Sequence, residues 1–172
     1  MPLPQDLLAQ AKHLAFRETK RPTQASLRRA LSTAYYALYH LLVAAGSHAM
    51  APAQPPALRN RVRRAFDHGE MKKVCEQFRR GNINNLSPAT QALINPPLGN
   101  DLVIIADAFV ELQEARHAAD YDASEFFTRP DALANIALVD QAFDAWKRAR
   151  HTPNANVFLA ALLLNTQWRS GG

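Results

Sequence analysis

A chain of 172 residues supports one domain with a real core, and 31 alanines against 6 glycines, with β-branched residues clustered only at Val103-Ile104-Ile105, exclude an all-β fold. The single cysteine, Cys75, excludes an internal disulfide and a Cys-rich zinc site. Charge is polarised along the chain: residues 59–80 carry eight Lys/Arg and three acids, whereas 101–144 carry two basic and ten acidic residues, a distribution suited to a polyanion partner or to association of unlike faces.

The N-terminal MPLPQDLL lacks a basic-then-apolar signal pattern, so a cytoplasmic protein is expected. Eleven prolines punctuate the chain and mark out its helices. A first helix is predicted over about 5–20. A central one follows over 23–51, capped by Thr23, with Leu27, Leu31, Ala34, Leu38, Leu42 and Ala45 at helical spacing. Two shorter helices near 56–67 and 69–80 divide at Gly69, and GNINNLSPATQALINPPLGN (81–100) is rich in turn formers. Long helices are predicted over about 100–121, with Leu102, Ile105, Phe109 and Leu112 on one stripe, and over about 131–150, with Leu133, Ile136, Val139, Phe143 and Trp146. The last helix, 154–168, contains the longest apolar run, Val157 to Leu164, eight residues against the roughly 20 that span a bilayer. Being apolar on all sides, that run belongs in the core or in a subunit interface. The prediction is an all-α, antiparallel up-and-down bundle in a single domain, with its core over about 5–150, extra short helices and an appended C-terminal helix over 153–169. No Gly-rich phosphate loop, metal-ligand spacing or cofactor motif is present, so neither a metal nor a cofactor is expected.

Two segments, LRRALSTAYYALYHLL (27–42) and ARHAADYD (115–122), sit on long helices and flank a basic stretch containing DHG (67–69). Together they resemble the HEPN superfamily, in particular its small prokaryotic members with A-Y-Y-A-x-F/Y-H and, later, R-x-x-A-D-Y; the match covers about 30–145. The resemblance implies an antiparallel helical bundle, frequent homodimers and, in many members, a metal-independent ribonuclease bearing R-x(4–6)-H. It also implies a toxin–antitoxin or defence-type setting with a nucleotidyltransferase-type protein partner.

Arg116 matches the motif arginine. Where the histidine should follow stands Tyr121, and an unperturbed phenol with a pKa of about 10 is a poor base at pH 7. Arg116 continues the apolar stripe of its helix, and Asp120 lies one turn on; the pair either stitches the bundle end together or presents Arg116 to a ligand or RNA. On the second helix Ser32, Tyr36 and His40 fall at i, i+4 and i+8, with Arg29 one turn before, and Tyr35 and Tyr39 form a neighbouring strip. These rings either pack within the bundle or meet the Arg116 end of the later helix, offering Tyr36 or His40 as phosphate contacts or proton donors. Arg63-x(4)-His68 also satisfies the spacing and makes His68 a secondary candidate, although it falls outside the motif-bearing helix. Arg59, Arg63 and Arg64 place charge on one side of a helix, extended by Lys72, Lys73, Arg79 and Arg80; they are either a phosphate-backbone surface or partners for the acidic 101–144 region. Two readings follow: an RNA- or partner-binding protein with a degenerate ribonuclease motif, or an active metal-independent ribonuclease using Arg116 with Tyr121, His40 or His68 as proton donor.

Overall fold

A computed structural model describes residues 2–170. It is all-helical, with no strand among the described residues. In order the elements are α1 (Leu3–Ala15), α2 (Gln24–Met50), α3 (Pro56–Arg64), α4 (His68–Phe78), a 3₁₀ turn (Ile83–Asn85), α5 (Pro88–Gln91), α6 (Asn100–Tyr121), α7 (Arg129–Ala149) and α8 (Pro153–Ser170). No described helix is long and apolar enough to cross a membrane. The residues fall into two compact units: one holds the chain up to Leu41 with Ala108–Phe143, the other Leu42–Asp107 with the chain from Asp144 on.

In the first unit, buried positions recur at helical spacing: Leu8, Ala11 and Ala15 on α1, Leu27, Leu31, Ala34 and Leu38 on α2, Phe109 and Leu112 on α6, Ile136 and Val139 on α7. Cross-helix contacts give the directions. Gln24 meets Phe127, Ser32 meets Asp120 and Tyr36 meets Arg116, so partners descend as α2 ascends, and α2 and α6 are antiparallel. Lys12 with Asp140, and Arg129 with the Ala15 carbonyl, set α1 against α7 in the same sense. Two arginines close helix ends here. Arg28 donates to the carbonyls of Ala119 (2.8 Å), Asp122 (2.9 Å) and Glu125 (2.5 Å), at and just past the C-terminus of α6. Arg129 donates to the carbonyls of Ala15 (3.0 Å), Thr19 (3.4 Å) and Glu18 where α1 ends. A helix C-terminus leaves carbonyls without intrahelical partners and carries the negative end of the dipole, so a guanidinium satisfies both needs.

In the second unit α4 and α8 are antiparallel: the Phe78 and Phe158 rings pack edge-on at 4.8 Å, while at the other end Glu70 accepts from Asn165 and Arg169. Fully burying two such rings stabilises by about 1.5–3 kcal/mol each. The residues from Val157 to Leu164 are all buried or half-buried within the chain. Covering that apolar run therefore takes no second copy, which removes it as an argument for a dimer.

The boundary between the two short helices falls earlier than expected. Gly69 lies inside the first turn of α4, and the break is at Ala65–Asp67, because Asp67 is the N-cap: its Oδ1 accepts from the Gly69 and Glu70 amides, both at 2.9 Å. α1 ends at Ala15 instead of about 20, where Arg129 closes it. The turn-rich 81–100 segment is anchored, not loose. Asn154 Nδ2 reaches the carbonyls of Asn95, Pro97 and Leu98, its Oδ1 accepts from the Asn95 amide, and Gly81 and Gly99 supply positive φ angles of 68° and 95°.

Candidate functional site

Within the first unit, the antiparallel register of α2 and α6 brings together six of the predicted residues, Ser32, Tyr35, Tyr36, Arg116, Asp120 and Tyr121. Arg116 Nη2 donates to the Tyr36 hydroxyl at 3.1 Å. Its Nε lies 2.8 Å from Asp120 Oδ2 but the N–H is not aimed at that oxygen, so the contact is an ion pair without a good hydrogen bond. Asp120 Oδ1 accepts from the buried Ser32 hydroxyl at 2.5 Å. The guanidinium carbon stands 5.8 Å from the Tyr35 ring centre and 5.6 Å from those of Tyr36 and Tyr121, within cation–π range. Three of the chain's four tyrosines thus surround one arginine.

The pair is mostly shielded, with side-chain exposures of 18% for Arg116 and 22% for Asp120. Burial alone would pull the guanidinium's pKa down; Tyr36 and Asp120 outweigh it and hold it above its ordinary value. Tyr121, in the place of the motif histidine, is 68% exposed and lies against His117 at 5.0 Å. His40 sits one turn beyond Tyr36, its ring packed on Tyr36 and Tyr39 at 6.2 and 5.2 Å. What surrounds the guanidinium is therefore a carboxylate and phenol rings, a set that fixes a cation well.

The second unit holds the other candidates. Every residue of α3 is at least partly exposed. Among the described residues none of its four arginines, Arg59, Arg61, Arg63 and Arg64, forms an ion pair, whereas Lys72 meets Glu76, Lys73 meets Glu70 and Arg79 meets Asp107. The expectation that the basic segment serves the acidic 101–144 region therefore holds for Arg79 and not for α3. Arg63 Nε is turned to Ser47 Oγ at 3.3 Å. His68 opens α4 beyond the Ala65–Asp67 break, so Arg63 and His68 belong to different helices. His48, Arg59, Asn60 and Arg63 line a pocket of about 300 Å³. Cys75 is buried, and burial pushes its thiol well above the ordinary range, so it is no nucleophile.

Among the described residues no group of three or more His, Cys, Asp and Glu is arranged to hold a metal ion. Arg28 and Arg129 are not among the predicted residues. The signal for Arg28 was present: 28, 32, 36 and 40 form one i, i+4 row, and it is Arg28, not Arg29, that reaches across to α6. No protein-family model, curated protein or solved structure matches the chain.

Proposed function

We propose that this is a HEPN-like RNA-binding protein that engages the phosphate backbone through α3, and in which the Arg116 site is retained as structure and not as a nuclease centre. The observation that carries this reading is a contrast in pairing: Lys72, Lys73 and Arg79 of the following segment each meet an acid, whereas among the described residues none of the four α3 arginines forms an ion pair, Arg63 making only a hydrogen bond to Ser47. Four unpaired guanidiniums within six positions form a surface that binds phosphates without sequence preference and in a salt-dependent manner. The Arg116 guanidinium, by contrast, is already matched by Asp120 and Tyr36, and the acceptor a general base would supply is absent from the motif position. The resemblance adds RNA as the polyanion and a defence or toxin–antitoxin setting.

The test is fluorescence anisotropy with a single-stranded RNA between about 50 and 200 mM salt. Binding should weaken with salt, and Arg63→Glu with Arg64→Glu should weaken it further and reduce the slope of log K against log[salt] by about 1.4, at about 0.7 per lost contact. Salt-insensitive binding, or binding unchanged in that variant, refutes the α3 surface. In parallel, metal-resistant cleavage of RNA that disappears in Arg116→Ala would replace the structural reading of Arg116 with the ribonuclease one.

A further inference from the structure

The end of α2 and the first turns of α3, both in the second unit, border the pocket of about 300 Å³ lined by His48, Pro56, Arg59, Asn60 and Arg63, at the small end of the range for ligand sites. Arg59 and Arg63 stand one turn apart on α3 and share it, whereas Arg61 and Arg64 do not line it. The arginines of α3 therefore serve two faces. No wall of the pocket carries an acid, and the neighbouring chain supplies none: between Glu18 and Asp67 the sequence has no acidic residue. Among the described residues His48, Arg59 and Asn60 make no hydrogen bond or ion pair. Arg63 commits only its Nε, to Ser47 Oγ at 3.3 Å, and Ser47 is itself buried and donates to the Ala44 carbonyl at 3.0 Å. That contact steadies the Arg63 side chain, and of the guanidinium's five N–H donors the other four stay uncommitted.

What converges here is an excess of donors over what a phosphate inside a strand can use. An internal phosphodiester carries one negative charge and two non-bridging oxygens, whereas a phosphomonoester carries a charge of about −1.5 to −2 at pH 7 and three strong acceptor oxygens. The two guanidiniums are always charged, the Asn60 amide adds two donors, and an imidazole offers at least one in either protonation state. That set suits the monoester. Shape argues the same way: a strand that continues past the helix can lay its diesters against the exposed Arg61 and Arg64, but a concave pocket is filled by an end.

We propose that this pocket binds a phosphomonoester, the terminal phosphate of an RNA strand whose backbone lies on the outer arginines of α3. The strand rests on the RNA-binding reading of α3; the phosphate stands on the pocket. Anisotropy competition on the full chain sets one labelled strand against unlabelled ten-residue oligouridylates that end in a 5′-phosphate, in a 3′-phosphate or in hydroxyls at both ends, and calorimetry uses phenyl phosphate. The variants are His48→Gln with Arg59→Gln, Asn60→Asp, which adds a carboxylate among the pocket's cations, and Arg61→Gln with Arg64→Gln. One phosphorylated strand should compete at least about 10-fold better than the hydroxyl strand, the worth of one hydrogen bond to a charged group, and the better of the two identifies the end. Both pocket variants should erase that ratio, whereas the outer variant should weaken every strand and keep it. Arg59 is half-buried and Asn60 exposed, so the melting temperature checks the fold of the double variant and Asn60→Asp repeats its test at a site that cannot disturb packing. Equal competition by phosphorylated and hydroxyl strands, or a ratio that survives in the pocket variants, overturns the terminal-phosphate proposal and leaves the α3 surface standing. If no strand binds, the RNA-binding reading of α3 fails, and phenyl phosphate decides the pocket: heat that disappears in Asn60→Asp upholds a phosphomonoester site, and no heat overturns it.

Discussion

Replacing Asp120 by alanine removes at once the ion-pair partner of Arg116 and the acceptor of the buried Ser32 hydroxyl. Breaking a fully buried pair costs about 3–5 kcal/mol, and stranding a buried hydroxyl costs about 1–3 kcal/mol. Both figures shrink here, because roughly a fifth of each charged side chain is exposed and water reaches the orphaned guanidinium; about 3 kcal/mol is a reasonable gross loss. Against it stand two gains. Asp120 is the penultimate residue of α6, where the helix dipole opposes a carboxylate by about 0.3–1 kcal/mol, and alanine is the better helix former by about 0.6 kcal/mol. The net expectation is a loss of about 2 kcal/mol, or about 4–8 °C in melting temperature for a chain of this size. Urea unfolding of the wild type, Asp120→Ala and Asp120→Asn measures it. The asparagine variant, which keeps an acceptor for Ser32 and loses only the charge, should fall between the other two. If Asp120→Ala lies within about 0.5 kcal/mol of the wild type, a limit usual for uninvolved surface sites, the pair is not structural and Arg116 is free to serve a ligand.

Two further outcomes follow from the second unit. Gly46→Ala should lower stability by about 1 kcal/mol although alanine is the better helix former, because the new Cβ would sit 2.5 Å from Cζ of the buried Phe66 ring and overpacking of this kind costs about 1–3 kcal/mol; a rise in the urea midpoint would show that the ring yields freely. Glu70 is held below the ordinary carboxylate range by Lys73 first and by Asn165 and Arg169 after it, against the opposing effect of burial. A depressed folded-state pKa contributes stability that is present above the unfolded value of about 4.3 and is lost as pH falls through the lower folded value. Glu70→Gln should therefore flatten the decline in stability between about pH 5 and 3, and curves that run parallel to the wild type would refute it.

The helices were legible because their apolar residues repeat at 3.6 and prolines separate them; α2, α6 and α7 fall within two residues of the predicted limits. So was the meeting of Tyr36 with Arg116, since two antiparallel helices with polar rows at matching ends have few ways to pair. Less legible were the partners of cations. Arg28 and Arg29 are adjacent and alike in sequence, and only the 100° rotation between them, set against where α6 ends, decides which one reaches its carbonyls. The loops' existence was legible, as in the turn-rich 81–100, but the direction of their side chains was not. Nothing in FFTRP (126–130) says which phenylalanine turns inward, because an irregular segment has no period from which a face can be read.

Arg28, Arg129, Arg116 and the arginines of α3 divide by what their donors meet, and the division separates those committed to the fold from those that are not. A guanidinium has five N–H donors and no acceptor. Arg28 and Arg129 each spend theirs on three backbone carbonyls at a helix terminus, an arrangement in which no oxygen of a phosphate could replace the acceptors without unfastening the chain. Arg116 is matched by a carboxylate and a phenol, and an incoming phosphate would have to displace Asp120, whose own oxygen holds Ser32. The α3 arginines have no such commitment beyond the contact of Arg63 with Ser47, and three of them crowd the last turn of a helix with no buried face. There they complement the helix dipole, yet they repel one another at helical spacing. Like charge held at that spacing on a helix without a fully buried residue is relieved by an anion, which is the physical ground for the proposed phosphate contact of α3.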